Sequence, residues 1–498
     1  MTAVVIPLTG AASSKAIWDS INWDAIEAEV YRLQMRIAKA VREGRHGKVK
    51  ALQWLLTHSF HAKLLAVRRV VQNHGGKTPG VDNVVWKTPQ EKLKAAQSLK
   101  RKGYQTKPLR RIYIPKKDGR KRPLSIPSML CRGMQALHLL ALAPIAEHYA
   151  DRNSYGFRPK RSCADAMTMC HIILSKKYSS QFILEGDIRS CFDKISHQWL
   201  RDNIPMDKAI LNKWLAAGYS ENGILFPTNQ GTPQGGIASP TLLNLTLSGL
   251  EDAIIRAISK RKDKVNVSIY ADDFIITGSS KEVLEHKVKP IVESFLHERG
   301  LELSQEKTKI THINDGFDFL GINVRKYNGK YISKPSKKSV SHFLENIRGI
   351  IKSNPTAKTE NLIQLLNPKI RGWAYYFRNC CAKKTFGYID HHIFKALWQW
   401  VHRRHPRKGT EWRRRKYFRS DKLRNWIFSA KTSSGNRKAA FLDLFEASSV
   451  PIKRHIKIRS DANPFDPQFK EYFEQRECIV KGSQRVSTLQ IHPGMSQI

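Results

Sequence analysis

The chain has 498 residues, 41% of them hydrophobic, enough for roughly two to four domains with sizeable cores. Its 86 Lys+Arg against 42 Asp+Glu give a formal net charge of +44, which makes a polyanion, nucleic acid first, the expected partner. Residues 136–146 form an apolar run too short to span a membrane, no leader is read at residues 1–14, and seven scattered cysteines without a CxxC pair predict reduced thiols, no zinc site and a cytoplasmic, bacterial setting.

Along the chain, residues 18–43 repeat apolar side chains at helical spacing (Ile26, Val30, Leu33, Ile37, Val41), and a second helix is expected over 48–73. The glycine-rich stretch 75–82 reads as a loop; it lacks P-loop spacing and no strand precedes it. Residues 110–115 and 122–126 alternate as hairpin strands, with Arg110, Arg111, Lys116, Lys117, Arg120, Lys121 and Arg122 along them. Such a density of cations invites phosphate, although a solvated ribbon has the same composition.

Helices are expected at 128–149, 162–176, 240–259 and 281–300, and a strand at 182–188 that ends on an acid, Asp187. Two apolar β-forming runs, 265–270 and 274–277, flank Ala271, Asp272 and Asp273, which reads as a hairpin with acids at its tip. With a short strand at 319–324, this order predicts an α+β sheet with helices on one face. From Ser339 the chain is helical and basic. Residues 401–420 carry nine Lys/Arg against one acid, Glu411, and Trp398, Trp400, Trp412, Tyr417 and Phe418 lie among or beside them. That mixture suits phosphate contact and base stacking, and equally a bundle with Trp inside and cations outside.

Adjacent carboxylates in an apolar setting repel one another and resist desolvation, so a positive partner is required. Divalent ions on hard oxygen ligands meet that need, whereas a solvated turn is the plain alternative. Two-metal nucleotidyl transfer takes carboxylates from different strands and holds the ions about 3.5–4 Å apart. Asp187 and Asp272 are the expected bridging ligands, with Asp273 third.

Several runs, in order, resemble the group II intron-encoded reverse transcriptases, or maturases. They include Ser154-Tyr155-Gly156-Phe157-Arg158-Pro159, Asp187-Ile188 with Cys191-Phe192-Asp193, Gly231-Thr232-Pro233-Gln234-Gly235-Gly236, Tyr270-Ala271-Asp272-Asp273, Glu306-Lys307-Thr308 and Phe319-Leu320-Gly321. Leu366 to Trp373, with Tyr375-Tyr376, is similar to the family's thumb motif. The resemblance implies a right-hand polymerase. Its parts would be a basic helical N-terminal extension (1–75), fingers and palm (76–334), an all-helical thumb or maturase domain (335–450) and a short C-terminal segment (451–498) without an HNH endonuclease.

It further implies an RNA-directed DNA polymerase of a mobile intron that binds its intron RNA and assists splicing. Such an enzyme uses two Mg²⁺ ions, an RNA template with a DNA primer, dNTPs and a DNA target, and no membrane. By the same resemblance, Lys116 and Arg122 hold the triphosphate, Phe192 lies under the sugar and excludes a 2′ hydroxyl, and Gln234 contacts the nucleotide. Lys307 serves as general acid and Asp193 is structural. RNA contacts are expected at Arg403, Arg404, Arg413, Arg414 and Arg415. The rivals are a reverse transcriptase recruited to antiviral defence or a CRISPR system, a non-catalytic splicing factor, which the intact acids oppose, and an RNA-dependent RNA polymerase, which Phe192 opposes.

Overall fold

In the computed structural model, which describes residues 14–115, 119, 121–259, 261–421, 424–432 and 440–481, the alternating apolar runs pair into two four-stranded sheets. The strands are β1 (Leu109–Pro115), β2 (Lys121–Ile126), β3 (Phe182–Asp187), β4 (Tyr219–Glu221), β5 (Ile224–Phe226), β6 (Asn266–Tyr270), β7 (Asp273–Gly278) and β8 (Lys309–His312). One sheet has the order β2-β1-β4-β5, in which the expected β1–β2 hairpin gains a short second hairpin. The other, β6-β7-β3-β8, is antiparallel throughout.

The second sheet is buried on both faces, not one. Leu184, Phe274 and Ile276 point into a core shared with the N-terminal helices, while Ile183 and Ile275 point into a core shared with the C-terminal helices. The strands carry apolar residues at both parities because both faces are covered. Gly186 lies opposite Phe274, and a Cβ there would meet the ring at 2.2 Å, so the ring's seat beside Asp273 requires glycine.

The expected helix over 48–73 is two, His46–His58 and Phe60–Gln72, separated by extended Ser59 (φ −62°, ψ 130°). The bend lets Leu52 and Leu56 of one and Leu64 and Val67 of the other enter the same core. Helix Phe60–Gln72 packs on Met129–Tyr149, so the N-terminal helices share their core with the sheet and do not form a separate body. Met129–Tyr149 spans 21 residues and is apolar and long enough to cross a membrane, more than the run at 136–146 suggested. It is the central core helix, with Met129, Met134, Leu137, Leu142 and Ile145 all buried.

Residues 240–259 likewise form two helices, Ser239–Leu247 and Leu250–Ala257. At the junction the N–H groups of Gly249 and Glu251 donate to Asp151 at 2.8 and 3.2 Å.

Past residue 335, helices Lys337–Ser353, Thr359–Phe377 and Lys383–Arg404 build the second core. The region is not all-helical. Phe418–Arg419, Ile427–Thr432 and Ala440–Asp443 form a three-stranded antiparallel sheet, and Phe428 lies edge-on to Trp400 with ring centroids 6.2 Å apart. Phe418–Arg419 is too short for any period to show, and Ile427–Thr432 does not alternate apolar and polar residues cleanly. Similarly, the single strand expected at 319–324 is a three-stranded sheet of Phe317–Phe319, Ile322–Tyr327 and Lys330–Pro335.

The C-terminal segment returns across the molecule. His455 and Arg476 each reach buried Asp165 at 2.9 Å, and the Tyr31 hydroxyl donates to the Pro464 carbonyl at 2.7 Å.

Candidate active site and nucleic-acid interface

Hairpin geometry brings the acids together. Asp187, last in β3, lies directly opposite Asp273, first in β7, and the two-residue loop Ala271-Asp272 joins β6 to β7. Like charges directly opposed across a sheet destabilise it unless something compensates them. Lys307 does so in part. Its Nζ donates to both carboxylate oxygens of Asp187 at 2.9 Å. The segment carrying it is stitched to the end of β3, since the Ser304 N–H donates to the Asp187 carbonyl at 2.8 Å and the Arg189 N–H to the Glu302 carbonyl at 2.9 Å.

One ammonium does not balance three carboxylates. Asp273 opens to the cleft, yet the surrounding protein thins the water around it. That desolvation first, then Asp272 and Asp187, pushes its carboxyl up to about 6, with Lys307 opposing. Among the described residues no three His, Cys, Asp or Glu side chains are gathered as a ready-made metal cage. A hard ion of the Mg²⁺ kind takes one or two carboxylates and completes its shell with water and substrate phosphate. The donors Asp187, Asp272 and Asp273 are all carboxylates, which fits such an ion.

A raised native pKa means that the folded state holds the proton more tightly than the unfolded state. The stabilisation is full below the ordinary carboxylate range and is lost as pH climbs through about 6. Asp273→Asn is therefore expected to raise the melting temperature of the metal-free protein at about pH 7.5, and to raise it far less at about pH 5. An equal rise at both pH values, read in EDTA, counts against strain at this carboxylate.

The loop that presents Asp272 is braced from behind. Ala271 takes φ +58°, a region costly for any residue with a Cβ. Residues 153–156 run parallel to β6, with the Tyr155 N–H donating to the Ile269 carbonyl and the Ile269 N–H to the Asn153 carbonyl, both at 2.9 Å. A Cβ on Gly156 would stand 2.3 Å from the Ala271 nitrogen, so only glycine allows this approach. Arg158 fixes the brace: Nε and Nη2 donate to Glu147 at 2.9 and 2.6 Å, and Nη1 donates to the carbonyls of Asp151 and Ser154 at 2.6 and 2.8 Å. Sequence reasoning matched this motif without finding its job, which is to buttress the acid loop.

The expected nucleotide contacts divide. Past Ser190 (φ +47°) the chain reverses, and Phe192 is half-buried, packed on the first core, with its carbonyl accepting from the Thr232 N–H at 2.6 Å. The Gln234 carbonyl accepts from the Ser125 N–H of β2 at 2.7 Å, and its amide nitrogen donates to Asp193 at 3.4 Å. These bonds tie the segments carrying Phe192 and Gln234 to each other and to β2. Arg122 is exposed on β2, while Lys116 lies outside the described residues. Cys191, which the sequence reading quoted without a role, is buried. Burial first, then Asp272, Asp187 and Asp193, push its thiol up.

Of the five arginines expected to meet RNA, one is misplaced. Arg413 is buried and donates through Nε and Nη2 to the carbonyls of His405 and Pro406 at 2.9–3.0 Å, so it holds the fold together and is not free for phosphate. Arg404 is half-committed, donating to the Ala357 carbonyl at 2.6 Å. Arg403, Arg414 and Arg415 are exposed. Trp400 is core, and Trp412 stays partly exposed beside Lys408 and Lys416.

Residues 114–324 match the family described as Reverse transcriptase (RNA-dependent DNA polymerase). Residues 18–99 match the N-terminal domain of reverse transcriptase, and 340–418 the Group II intron, maturase-specific domain. Protein YkfC of Escherichia coli (strain K12) is 31% identical over 310 residues, 53% of this chain and 81% of that protein. Group II intron-encoded protein LtrA of Lactococcus lactis subsp. cremoris is 28% identical over 414 residues, 70% of this chain and 65% of that one. Maturase-like protein 1 of Euglena gracilis is 22% identical over 399 residues, 77% of this chain and 82% of that one. The chain thus spans just under two thirds of LtrA.

Proposed function

Because the chain belongs to the group II intron-encoded reverse transcriptase and maturase family, we propose that it copies RNA into DNA at the β3–β7 acids and holds its intron RNA on separate cationic helices. The family's activity is RNA-directed DNA polymerisation with a maturase function. The maturase-specific match at 340–418 disfavours the defence-associated alternative. In this reading the β6-β7-β3-β8 sheet is the palm, the β1–β2 hairpin belongs to the fingers, and the helices from Lys337 are the thumb. Substrates are an RNA template with a DNA primer and dNTPs, and a DNA target receives the product.

The observation that carries the proposal is the Asp187–Asp273 cross-strand pair with Lys307 seated on it. Two bound Mg²⁺ ions would supply Lewis-acid stabilisation of the attacking and leaving oxygens. Asp187, Asp272 and Asp273 are the residues that would hold them. Lys307 keeps a proton at Nζ beside Asp187, where departing pyrophosphate can take it. Arg122 meets the triphosphate as a delocalised cation. Gln234, fixed by β2 and Asp193, borders the nucleotide, and the Phe192 ring closes the space a 2′ hydroxyl would need.

Primer extension with matched dNTP and rNTP pairs tests this. Phe192→Ala is expected to raise the rNTP/dNTP ratio of kcat/KM by about 10- to 200-fold, the range of one steric group. An unchanged ratio leaves Phe192 as core packing.

A further inference from the structure

A second cleft, of about 650 Å³, lies between helix His46–His58 and the chain around residues 99–102 and 205–208. The polymerase chemistry does not use it. Its floor is apolar, built on buried Leu99, Met134 and Leu137. Its lining carries six Lys or Arg, namely Lys50, Lys63, Lys100, Arg101, Lys102 and Lys208, and one acid, Asp207, which already pairs with Arg101. Lys63 and Lys100 crowd each other. Burial first, then Lys100, hold the Lys63 ammonium below its usual range. An anion entering here relieves that repulsion.

The lining also carries an aromatic pair. Trp54 is 59% exposed, which leaves its indole open to a stacking partner. It stacks on His58, ring centroids 4.2 Å apart and planes 23° off parallel, and His58 is itself fixed by donating Nδ1–H to the Trp54 carbonyl at 2.8 Å. A preordered ring pair, an apolar floor and a ring of cations together match one chemistry: a flat heteroaromatic carrying phosphate.

We propose that this cleft receives an unpaired nucleobase of RNA, stacked on Trp54, with the flanking phosphates on Lys50, Lys63, Lys100 and Lys102. A duplex keeps its bases inside the helix and cannot offer one to the indole, so the site selects loops, bulges and single strands. The inference rests on the reading that this protein binds intron RNA, and names a place on the chain and the kind of RNA element that docks there.

The test uses the full chain and two labelled RNAs of equal phosphate count, a stem closed by an adenosine-rich loop and a blunt duplex. Trp54→Ala is expected to weaken binding of the looped RNA by about 5- to 150-fold, as removal of one base stack does, and to move duplex binding less than twofold. Trp54→Tyr should recover most of the affinity. Lys100→Ala with Lys102→Ala should reduce the salt slope for the looped RNA by about two units. Equal affinity of wild type and Trp54→Ala for the looped RNA overturns the proposal, as does an equal weakening on both RNAs. If the wild-type protein binds neither RNA, the intron-binding reading itself falls, and the two failures are distinguishable.

Discussion

An Asp272→Ala, Asp273→Ala protein is expected to lose primer extension and to keep its grip on intron RNA. The loss should be at least about 10³-fold, because the groups that stabilise the attacking and leaving oxygens are each worth several kcal/mol. Folding should survive. Both residues lie at the tip of one hairpin, and Asp273 faces Asp187 across the sheet, so the substitution removes repulsion instead of a favourable pair. Lys307 retains its two bonds to Asp187. The exposed cations at Arg403, Arg414 and Arg415 lie in other elements. Primer extension, filter binding and a splicing assay on one preparation separate the two functions. EDTA should reproduce the polymerase defect in the wild-type protein. If the variant stays folded and loses RNA binding as fully as it loses extension, the division of labour is wrong.

The acids were legible because a strand ending in Asp and a hairpin tipped with Asp-Asp are local patterns, and antiparallel pairing leaves few ways to combine them. Their register, Asp187 on Asp273, was not legible, since it depends on where β3 and β7 stop. The job of Gly156 was hidden for a related reason. Its close contact is with Ala271, more than a hundred residues away, and nothing near it in sequence marks the approach. The sheet at 418–443 escaped because its strands do not alternate apolar and polar residues cleanly and it packs on helices upstream. Arg413 is a different case, because a signal was present. It stands four residues before buried Tyr417 on helix Thr410–Tyr417, and therefore on the inward face, while Arg414 and Arg415 turn outward. A run of like charges was taken as one surface when helical geometry divides it.

That division makes the salt dependence informative. Raising salt from about 50 to 200 mM should weaken RNA binding by about 10³- to 10⁵-fold if six to ten phosphates are engaged. Replacing Arg403, Arg414 and Arg415 with Ala should lower the log–log salt slope by about one unit for each phosphate no longer engaged. Arg414 and Arg415 face Glu411 at 3.3 and 3.0 Å, but all three side chains are exposed, and such pairs are worth only about 0–1 kcal/mol, so phosphate displaces the acid readily. Arg413→Ala should behave otherwise. It removes the guanidinium from the Pro406 carbonyl and from the His405 carbonyl, the latter keeping only the Lys408 N–H at 3.3 Å, costs about 1–3 kcal/mol of stability, and leaves the salt slope where it was. Denaturant melts and filter binding across a salt series distinguish the two outcomes. A slope that falls with Arg413→Ala and holds with the triple variant would invert the assignment of inward and outward faces. A flat slope in the wild-type protein would mean that the +44 charge is not a binding footprint at all.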